Sequence, residues 1–395
     1  MPVHQRLTVG IIFGGRSSEH EVSIVSAASV IKALNPDKYR IVPIGIAKSG
    51  RWYVGEQALT WLKQGQEEPE SAVALPADPT MQKLVPLGSR SNEWFEKLDV
   101  LFPLIHGPLG EDGTLQGLLE LTDLPYVGAG VLGSALSMDK IMQKQVCNQL
   151  GLPAVDFLWI RDIDWRSNSD SDDQPLLLDQ LANMNQEQML QVCQDRLGYP
   201  LFVKPANLGS SIGISKARNR QELRASLEEA FLYDKKVIIE QAVQNVRELE
   251  VSILGNDKPR ASVIGEIVPS NEFYDYNAKY IDGTSTLIIP AELEDGLVQS
   301  IQLAAIKAFL AVGAEGMARV DFLLDNRLGR FFLSEVNTIP GFTSISMYPK
   351  LWQASGLSYS QLLDELIRLA LERQTQKNRL QKSYCPKSRW YTENG

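Results

Sequence analysis

The chain has 395 residues, 44% of them hydrophobic, and a formal charge of −9. That length is enough for about two or three domains with real cores. The acidic balance argues against a nucleic-acid partner, and no apolar run reaches membrane-spanning length. His4, His20 and His106 are the only histidines, which excludes a histidine-rich metal site. Cys147, Cys193 and Cys385 are scattered and odd in number, pointing to a reducing compartment without a disulfide frame or zinc site. Met1–Gly10 lacks the apolar segment of a signal peptide, so a cytoplasmic protein is expected.

Leu7–Phe13 reads as a strand, followed by a Gly14-Gly15 turn and a helix over Val22–Leu34. This is the opening of a Rossmann-like unit, yet G-x-G-x-x-G is absent and no dinucleotide site is assigned. Ser18 and Glu21 fit a capping box. Glu19 is then left to hold a substrate ammonium or merely to complement the helix dipole. Tyr39–Ala47 is a second strand, and Trp52–Asn92 reads as a polar peripheral insertion. A strand over Asp99–Ile105 ends at His106, in a glycine-rich loop before the helix Thr114–Leu121. His106 either faces a ligand or anchors its loop. Ser134–Leu150 reads as one helix carrying Lys140.

Asp162–Gln174 is a solvated loop. Leu201–Lys204 is a strand that runs into Pro205–Lys216, where glycines flank Ser210 and Ser211. Backbone N–H groups in such a strand–loop–strand can fold over phosphates, although this is not a P-loop. Lys204 lies against that site or snorkels at the surface. Strands are expected over Lys236–Glu240 and Arg247–Leu254, the second carrying Glu248 and Glu250. Glu266–Ala291 is a long loop crowded with aromatics between Phe273 and Tyr280, a functional lid or a self-packed loop. A helix over Leu297–Val312 follows. Ser358–Leu371 closes the fold as an amphipathic helix, and Thr375–Gly395 is a loosely held polar tail.

The chemistry concentrates in Arg319–Leu324 and Phe331–Asn337, separated by the turn-forming Asp325–Arg330. An antiparallel hairpin centred near Leu328 sets Asp321 opposite Glu335 and Arg319 opposite Asn337 on one face. Strict alternation adds Phe331 and Leu333 to that face. Facing carboxylates repel unless a cation lies between them. An oxygen set of this kind suits Mg²⁺ with substrate phosphates completing the shell, and an arginine beside it suits a phosphate or oxyanion. A surface Arg–Asp–Glu network is the competing reading, countered by Val320, Phe322, Leu323 and Phe332, which mark the hairpin as core.

Seven runs, in this order, resemble the D-alanine–D-alanine ligases of the ATP-grasp superfamily: GGRSSEHEVS, HGPLGEDGTLQG, SALSMDK, VKPANLGSSIG, FYDYNAKY, ARVDFLL and EVNTIPGFTS. The resemblance spans about Thr8 to Leu371. It implies a three-domain α/β (α+β) ATP-grasp fold: a Rossmann-like N-terminal domain (1–139), a small central domain (140–246), a mainly antiparallel C-terminal domain (247–373) with its lid at 266–291, and a tail (374–395). ATP would lie between the last two domains. The implied reaction joins two D-alanines for peptidoglycan synthesis through an acyl phosphate, in a homodimer without nucleic-acid or membrane partners.

The family pattern also implies residue roles. Glu19 would hold the ammonium of the first D-alanine, with His106 beside it. Lys140 and Lys204 would hold ATP phosphates, the Ser210-Ser211 loop would close over them, and Lys279 would reach the γ-phosphate. Ser210 would hydrogen-bond Tyr280 and link it to Glu19. Glu240, Ala242 and Val243 would line the adenine site, Phe273 would join the ATP contacts, and Glu248 would bind the ribose. Asp321, Glu335 and Asn337 would bind two Mg²⁺ (or Mn²⁺) ions. Arg319 and the N–H of Gly341 would form the oxyanion site, and Ser346 would take the second carboxylate. No dedicated base for the attacking amine is visible. The rival readings are a D-alanine–D-lactate or D-alanine–D-serine ligase, disfavoured by the FYDYNAKY lid, and a non-catalytic nucleotide-binding regulator, disfavoured by the full set of metal and phosphate residues.

Overall fold

The computed structural model describes residues 6–87, 97–166, 181, 184–269, 286–381 and 383–384. Its elements in chain order begin with β1 (Leu7–Gly14), α1 (His20–Ala33), β2 (Tyr39–Ile46), β3 (Trp52–Val54), α2 (Ala58–Lys63), β4 (Ala72–Ala74), β5 (Val85–Pro86), β6 (Val100–Pro103) and α3 (Thr114–Thr122). The strands form one sheet in the order β5-β4-β3-β2-β1-β6. β1 pairs in parallel with β2 and β6, and its apolar sequence is buried on both faces, as a central parallel strand requires. The stretch expected to be a peripheral insertion instead extends the sheet edge: β3, β4 and β5 add to β2 in antiparallel fashion. Their short apolar segments, Tyr53, Val54 and Val73 among them, are buried although the surrounding sequence is polar.

Next come α4 (Val131–Met138) and α5 (Lys140–Gln149). The single helix expected over Ser134–Leu150 is therefore two. Asp139 leaves helical geometry between them and caps α5, accepting from the N–H groups of Ile141 and Met142. An aspartate that satisfies two orphan N–H groups competes with helix continuation. β7 (Phe157–Arg161), α6 (Asp162–Arg166), α7 (Gln186–Leu197), β8 (Leu201–Pro205), β9 (Ser215–Ala217), α8 (Arg220–Ala230) and β10 (Lys236–Gln241) follow. The sheet β7-β10-β8-β9 is antiparallel. Leu201, Val203, Val237 and Ile239 turn to the core shared with α7 and α8. Alternation sends Phe202, Lys204 and Glu240 to the opposite face.

The last part comprises β11 (Val246–Gly255), β12 (Arg260–Val268), β13 (Thr286–Ile288), α9 (Asp295–Ala311), β14 (Gly316–Asp325), β15 (Arg330–Asn337), α10 (Met347–Ala354) and α11 (Tyr359–Asn378). Among the described residues its sheet runs β13-β12-β11-β14-β15, antiparallel throughout. α9 covers one face through Ile301, Ala305, Ala308 and Phe309. α11 is longer than expected and reaches past Thr375. Leu362, Leu363, Leu366 and Ile367 pack into the same core as β1 and β6. Arg373 donates to the carbonyl oxygens of Gly128 and Tyr126, and Lys377 pairs with Glu120. The closing helix thus ties the third sheet to the first. Among the described residues no helix is long and apolar enough to cross a membrane.

Candidate active site

The hairpin β14–β15 has the register expected: Asp321 faces Glu335 and Arg319 faces Asn337. The face assignment of its outer half differs. The register shifts between Asp321 and Phe322, so that Leu333 pairs with Phe322 and Ser334 is the extra residue of a β-bulge. The bulge turns Phe331 and Leu333 to the core with Phe322 and Leu324, away from Glu335 and Asn337. Its carbonyl groups are satisfied by Lys144, whose Nζ donates to Leu333 O at 3.2 Å and Ser334 O at 3.0 Å.

Arg319 is the electrostatic centre. Its Nε and Nη2 donate to Asp321 Oδ1 and Oδ2 at 2.8 and 2.6 Å, and Glu250 Oε2 lies 3.0 Å from Nε. Burial alone would weaken the charge, but Asp321, Glu250 and Glu335 hold the guanidinium well above its ordinary pKa. Lys140 Nζ lies 3.8 Å from Glu335 and donates to Leu208 O at 2.6 Å. Three carboxylates therefore converge on one guanidinium and one ammonium.

Among the described residues no ready-made cluster of three or more His, Cys, Asp or Glu side chains forms a metal cage. Asp321 is engaged by Arg319, and Asn337 Nδ2 donates to Asp321 at 3.0 Å. The donor chemistry nevertheless fits a hard divalent cation: two opposed carboxylates and an amide oxygen, with excess negative charge and room for phosphate oxygens to complete a shell.

On the neighbouring sheet Lys204 and Glu240 meet at 2.6 Å, and Lys144 reaches the other Glu240 oxygen at 3.1 Å. Burial by itself would raise the Glu240 carboxyl. The two lysines overcome that and hold it at about 2. Lys144, entirely enclosed, is pushed down by burial, and Lys204 is held up against burial by Glu240. Lys204, Glu240, Val243 and Glu248 line one cleft with Lys140, Ser210, Ser211, Asp321 and Glu335. Ala242 lies beside this lining, its N–H bonded to Pro200 O at 3.2 Å.

A second pocket opens from the same point and shares Ser210, Glu250, Arg319 and Glu335 with the cleft. Glu19, His106, Gly341 and Ser346 line it. The expected Ser18–Glu21 capping box does not form: α1 starts at His20, and Glu21 pairs with Lys48 at 2.6 Å on the surface. Glu19 is buried and accepts a hydrogen bond from Ser210 Oγ. Ser210 and Ser211 both adopt positive φ, so the loop turns sharply where it meets Glu19. Gly107, at φ +76°, leaves space for the same carboxylate: a Cβ there would stand 2.9 Å from Glu19 Oε2.

His106 is buried among partners and serves as both anchor and lining residue. Its Nδ1 contacts Ile339 O at 3.1 Å and Glu111 at 3.5 Å, and Nε2 contacts Ser26 Oγ at 3.2 Å. Burial opposes its protonation, but the pairing with Glu111 raises its pKa on balance. Ser346 precedes α10 and leaves its own helix uncapped. Its Oγ accepts from Thr343 N at 3.0 Å and shares a proton with Thr343 Oγ1 at 2.7 Å.

The model for the C-terminal region of D-ala D-ala ligase matches residues 146–368, and that for the N-terminal region matches residues 8–129. The chain belongs to the D-alanine–D-alanine ligase family. The D-alanine–D-alanine ligase of Thermoanaerobacter sp. (strain X514) is 48% identical over 95% of this chain and 99% of its own length. That of Heliobacterium modesticaldum is 47% identical over 94% and 96%. Among solved structures, the D-alanine-D-alanine ligase from Coxiella burnetii aligns with a TM-score of 0.77 at 35% identity, covering 95% of this chain and 96% of that one. The VanG D-Ala:D-Ser ligase from Enterococcus faecalis aligns at 0.78 and 35%, covering 93% and 100%. The three sheets are those of a three-domain ATP-grasp ligase, and ATP is the nucleotide of this family.

Glu19, His106, Lys140, Lys204, Ser210, Ser211, Glu240, Val243, Glu248, Arg319, Asp321, Glu335, Asn337, Gly341 and Ser346 thus meet at one cleft with two arms. Phe273, Lys279 and Tyr280 lie outside the described residues. Sequence reasoning gave no role to Lys144, Glu250 or Glu111. Lys144 carries a usable signal, because it lies four residues after Lys140 and so on the same helix face. Glu250 lies two residues after Glu248 on one strand, which places both on the same side.

Proposed function

We propose that this chain joins two D-alanine molecules with cleavage of ATP to ADP and phosphate, supplying the dipeptide for peptidoglycan synthesis. The observation that carries the reading is the Ser210–Glu19 hydrogen bond, which joins the phosphate-side loop to the amino-acid pocket at the point where Arg319 and Glu335 face both arms. Glu19 holds the ammonium of the first D-alanine and thereby aims its carboxylate at the γ-phosphate. Lys140, Lys204 and Lys279 hold the phosphates as point charges, and Tyr280 closes over Ser210.

Phosphoryl transfer to the carboxylate gives an acyl phosphate and ADP. The neutral amine of the second D-alanine then adds to the acyl carbon, the tetrahedral oxyanion rests on Arg319 and the N–H of Gly341, and inorganic phosphate leaves. Ser346 and the N–H groups opening α10 receive the second carboxylate, since a helix N-terminus favours an anion. Asp321, Glu335 and Asn337 are the residues to hold two Mg²⁺ or Mn²⁺ ions, which supply charge neutralisation on the transferred phosphate. The connection between β12 and β13 acts as the lid that keeps water from the acyl phosphate, the two ends of the expected 266–291 loop being paired strand residues. We further propose domain edges near residues 139, 246 and 373, a homodimer and a cytoplasmic location.

Phosphate release with ATP and Mg²⁺ tests the reading, with D-alanine, L-alanine or D-alanine plus D-lactate offered and the product identified by mass. D-alanine alone is expected to give the dipeptide. Release only with the mixture would assign a depsipeptide ligase instead, and ATP binding without release would assign a regulator.

A further inference from the structure

Arg319 has carboxylate partners on its own strand and on the strand beside it. Its two bonds to Asp321 engage both oxygens of that side chain, and Asn337 Nδ2 adds a third donor at 3.0 Å. Glu250 lies on β11 directly opposite Asp321 and is 5% exposed. Its Oε2 stands 3.0 Å from Arg319 Nε, and it lines both arms of the cleft.

A guanidinium and a divalent cation compete for the same carboxylate oxygens. A bidentate guanidinium engages both Asp321 oxygens and already compensates their charge, so a cation on Asp321 is held more tightly as Arg319 loosens its grip. A buried guanidinium left without a carboxylate is costly. Glu250 is already in contact, so Arg319 can release Asp321 and keep an ion pair.

We propose that Glu250 is a positioning residue that receives Arg319 when Asp321 takes up a divalent cation, coupling cation loading to the placement of the guanidinium for the oxyanion. The inference rests on the proposed cation role of Asp321. Without the Glu250 carboxylate, Arg319 stays on Asp321 and competes with the cation. A direct ligand or a plain negative charge at Glu250 would also favour the cation, but that contribution is independent of Arg319.

A mutant cycle separates these cases. Mn²⁺ binding to the full chain with ADP is followed by electron paramagnetic resonance for the wild type, Glu250→Gln, Arg319→Gln and the double variant. Glu250→Gln is expected to weaken Mn²⁺ about tenfold in the wild-type background and less than about twofold in the Arg319→Gln background, a coupling typical of residues in contact. Equal losses in both backgrounds would overturn the hand-over in favour of a ligand or charge role. No loss in the wild-type background would overturn the hand-over and give Glu250 no part in cation binding. A wild type that holds no Mn²⁺ beyond that bound by free ADP would overturn the cation reading of Asp321 itself, and that outcome shows in the wild-type curve alone. Circular dichroism checks the fold of each variant. Where Arg319→Gln does not fold, Arg319→Lys replaces it. A point charge cannot grip Asp321 in bidentate fashion, so the effect of Glu250→Gln should again shrink.

Discussion

Lys144 Nζ lies 3.1 Å from Glu240 Oε1, and both side chains are almost fully buried. The same ammonium donates to the carbonyl groups of the Ser334 bulge, so one lysine on α5 joins the second sheet to the strand that carries Glu335. Lys144→Met strips the bulge carbonyl groups of their donor and leaves Glu240 with Lys204 alone. Removing one partner of a buried pair costs about 3–5 kcal/mol. A lower Tm is expected, together with weaker ADP binding, because Glu240 then draws Lys204 more strongly. The double variant Lys144→Met/Glu240→Gln is expected to recover part of the Tm. Equal melting of the single and double variants would show that the pair is not the source of the loss.

The hairpin carrying Arg319, Asp321, Glu335 and Asn337 was legible because the turn residues Asp325–Arg330 centre it near Leu328, which sets Asp321 opposite Glu335 and Arg319 opposite Asn337. The Ser334 bulge was not legible. Alternation assumes uninterrupted pairing, and the bulge is supported by Lys144, which comes from a helix about 190 residues earlier. Glu19 was legible as a residue without a structural task at a strand's carboxyl edge, although the capping box that freed it does not form. Glu250 was visible on its strand but silent, because its meaning depends on β14 pairing beside it. The break at Asp139 was missed because hydrophobic spacing continues through it, while the cap that makes it is a side-chain effect.

Acid stability should depend on Glu240. Its carboxyl is lowered from 4.5 to about 2 in the folded state, against burial and because of Lys144 and Lys204. A depressed carboxyl contributes stability above its unfolded pKa and loses it as pH falls through the folded value. The window is therefore about pH 4.5 down to 2. The Tm advantage of wild type over Glu240→Gln should be full at neutral pH and shrink within that window. An advantage that stays constant from pH 6 to 3 would count against the ionised pair.

Asp321→Asn and Glu335→Gln should abolish turnover while leaving the fold intact. Each keeps the side-chain shape and removes one charge from a site where three carboxylates surround Arg319. Charge stabilisation by a cation is worth several kcal/mol, so a loss of about a thousandfold in kcat is expected. Unchanged circular dichroism and melting check the fold. Chelation should silence the wild type, and added Mg²⁺ or Mn²⁺ should restore it. Normal turnover in both variants would remove these residues from the cation site.

Gly341→Ala tests the second amino-acid subsite without touching a charged group. A Cβ at Gly341 would stand 2.7 Å from Ser346 Oγ, too close for the present arrangement. Ser346 cannot simply rotate away, because its Oγ accepts from Thr343 N and shares a proton with Thr343 Oγ1. The substitution therefore moves the hydroxyl assigned to the second carboxylate, and it crowds the N–H assigned to the oxyanion. A hydrogen bond to a charged group contributes about 1.5–3 kcal/mol, so KM for the second D-alanine should rise roughly ten- to hundredfold. KM for ATP should change much less, since Gly341 and Ser346 line the amino-acid pocket and are not among the residues lining the nucleotide cleft. Steady-state kinetics with D-alanine varied at saturating ATP, and with ATP varied at saturating D-alanine, separate the two constants. A rise in KM for ATP with D-alanine unaffected would place Ser346 outside the second subsite.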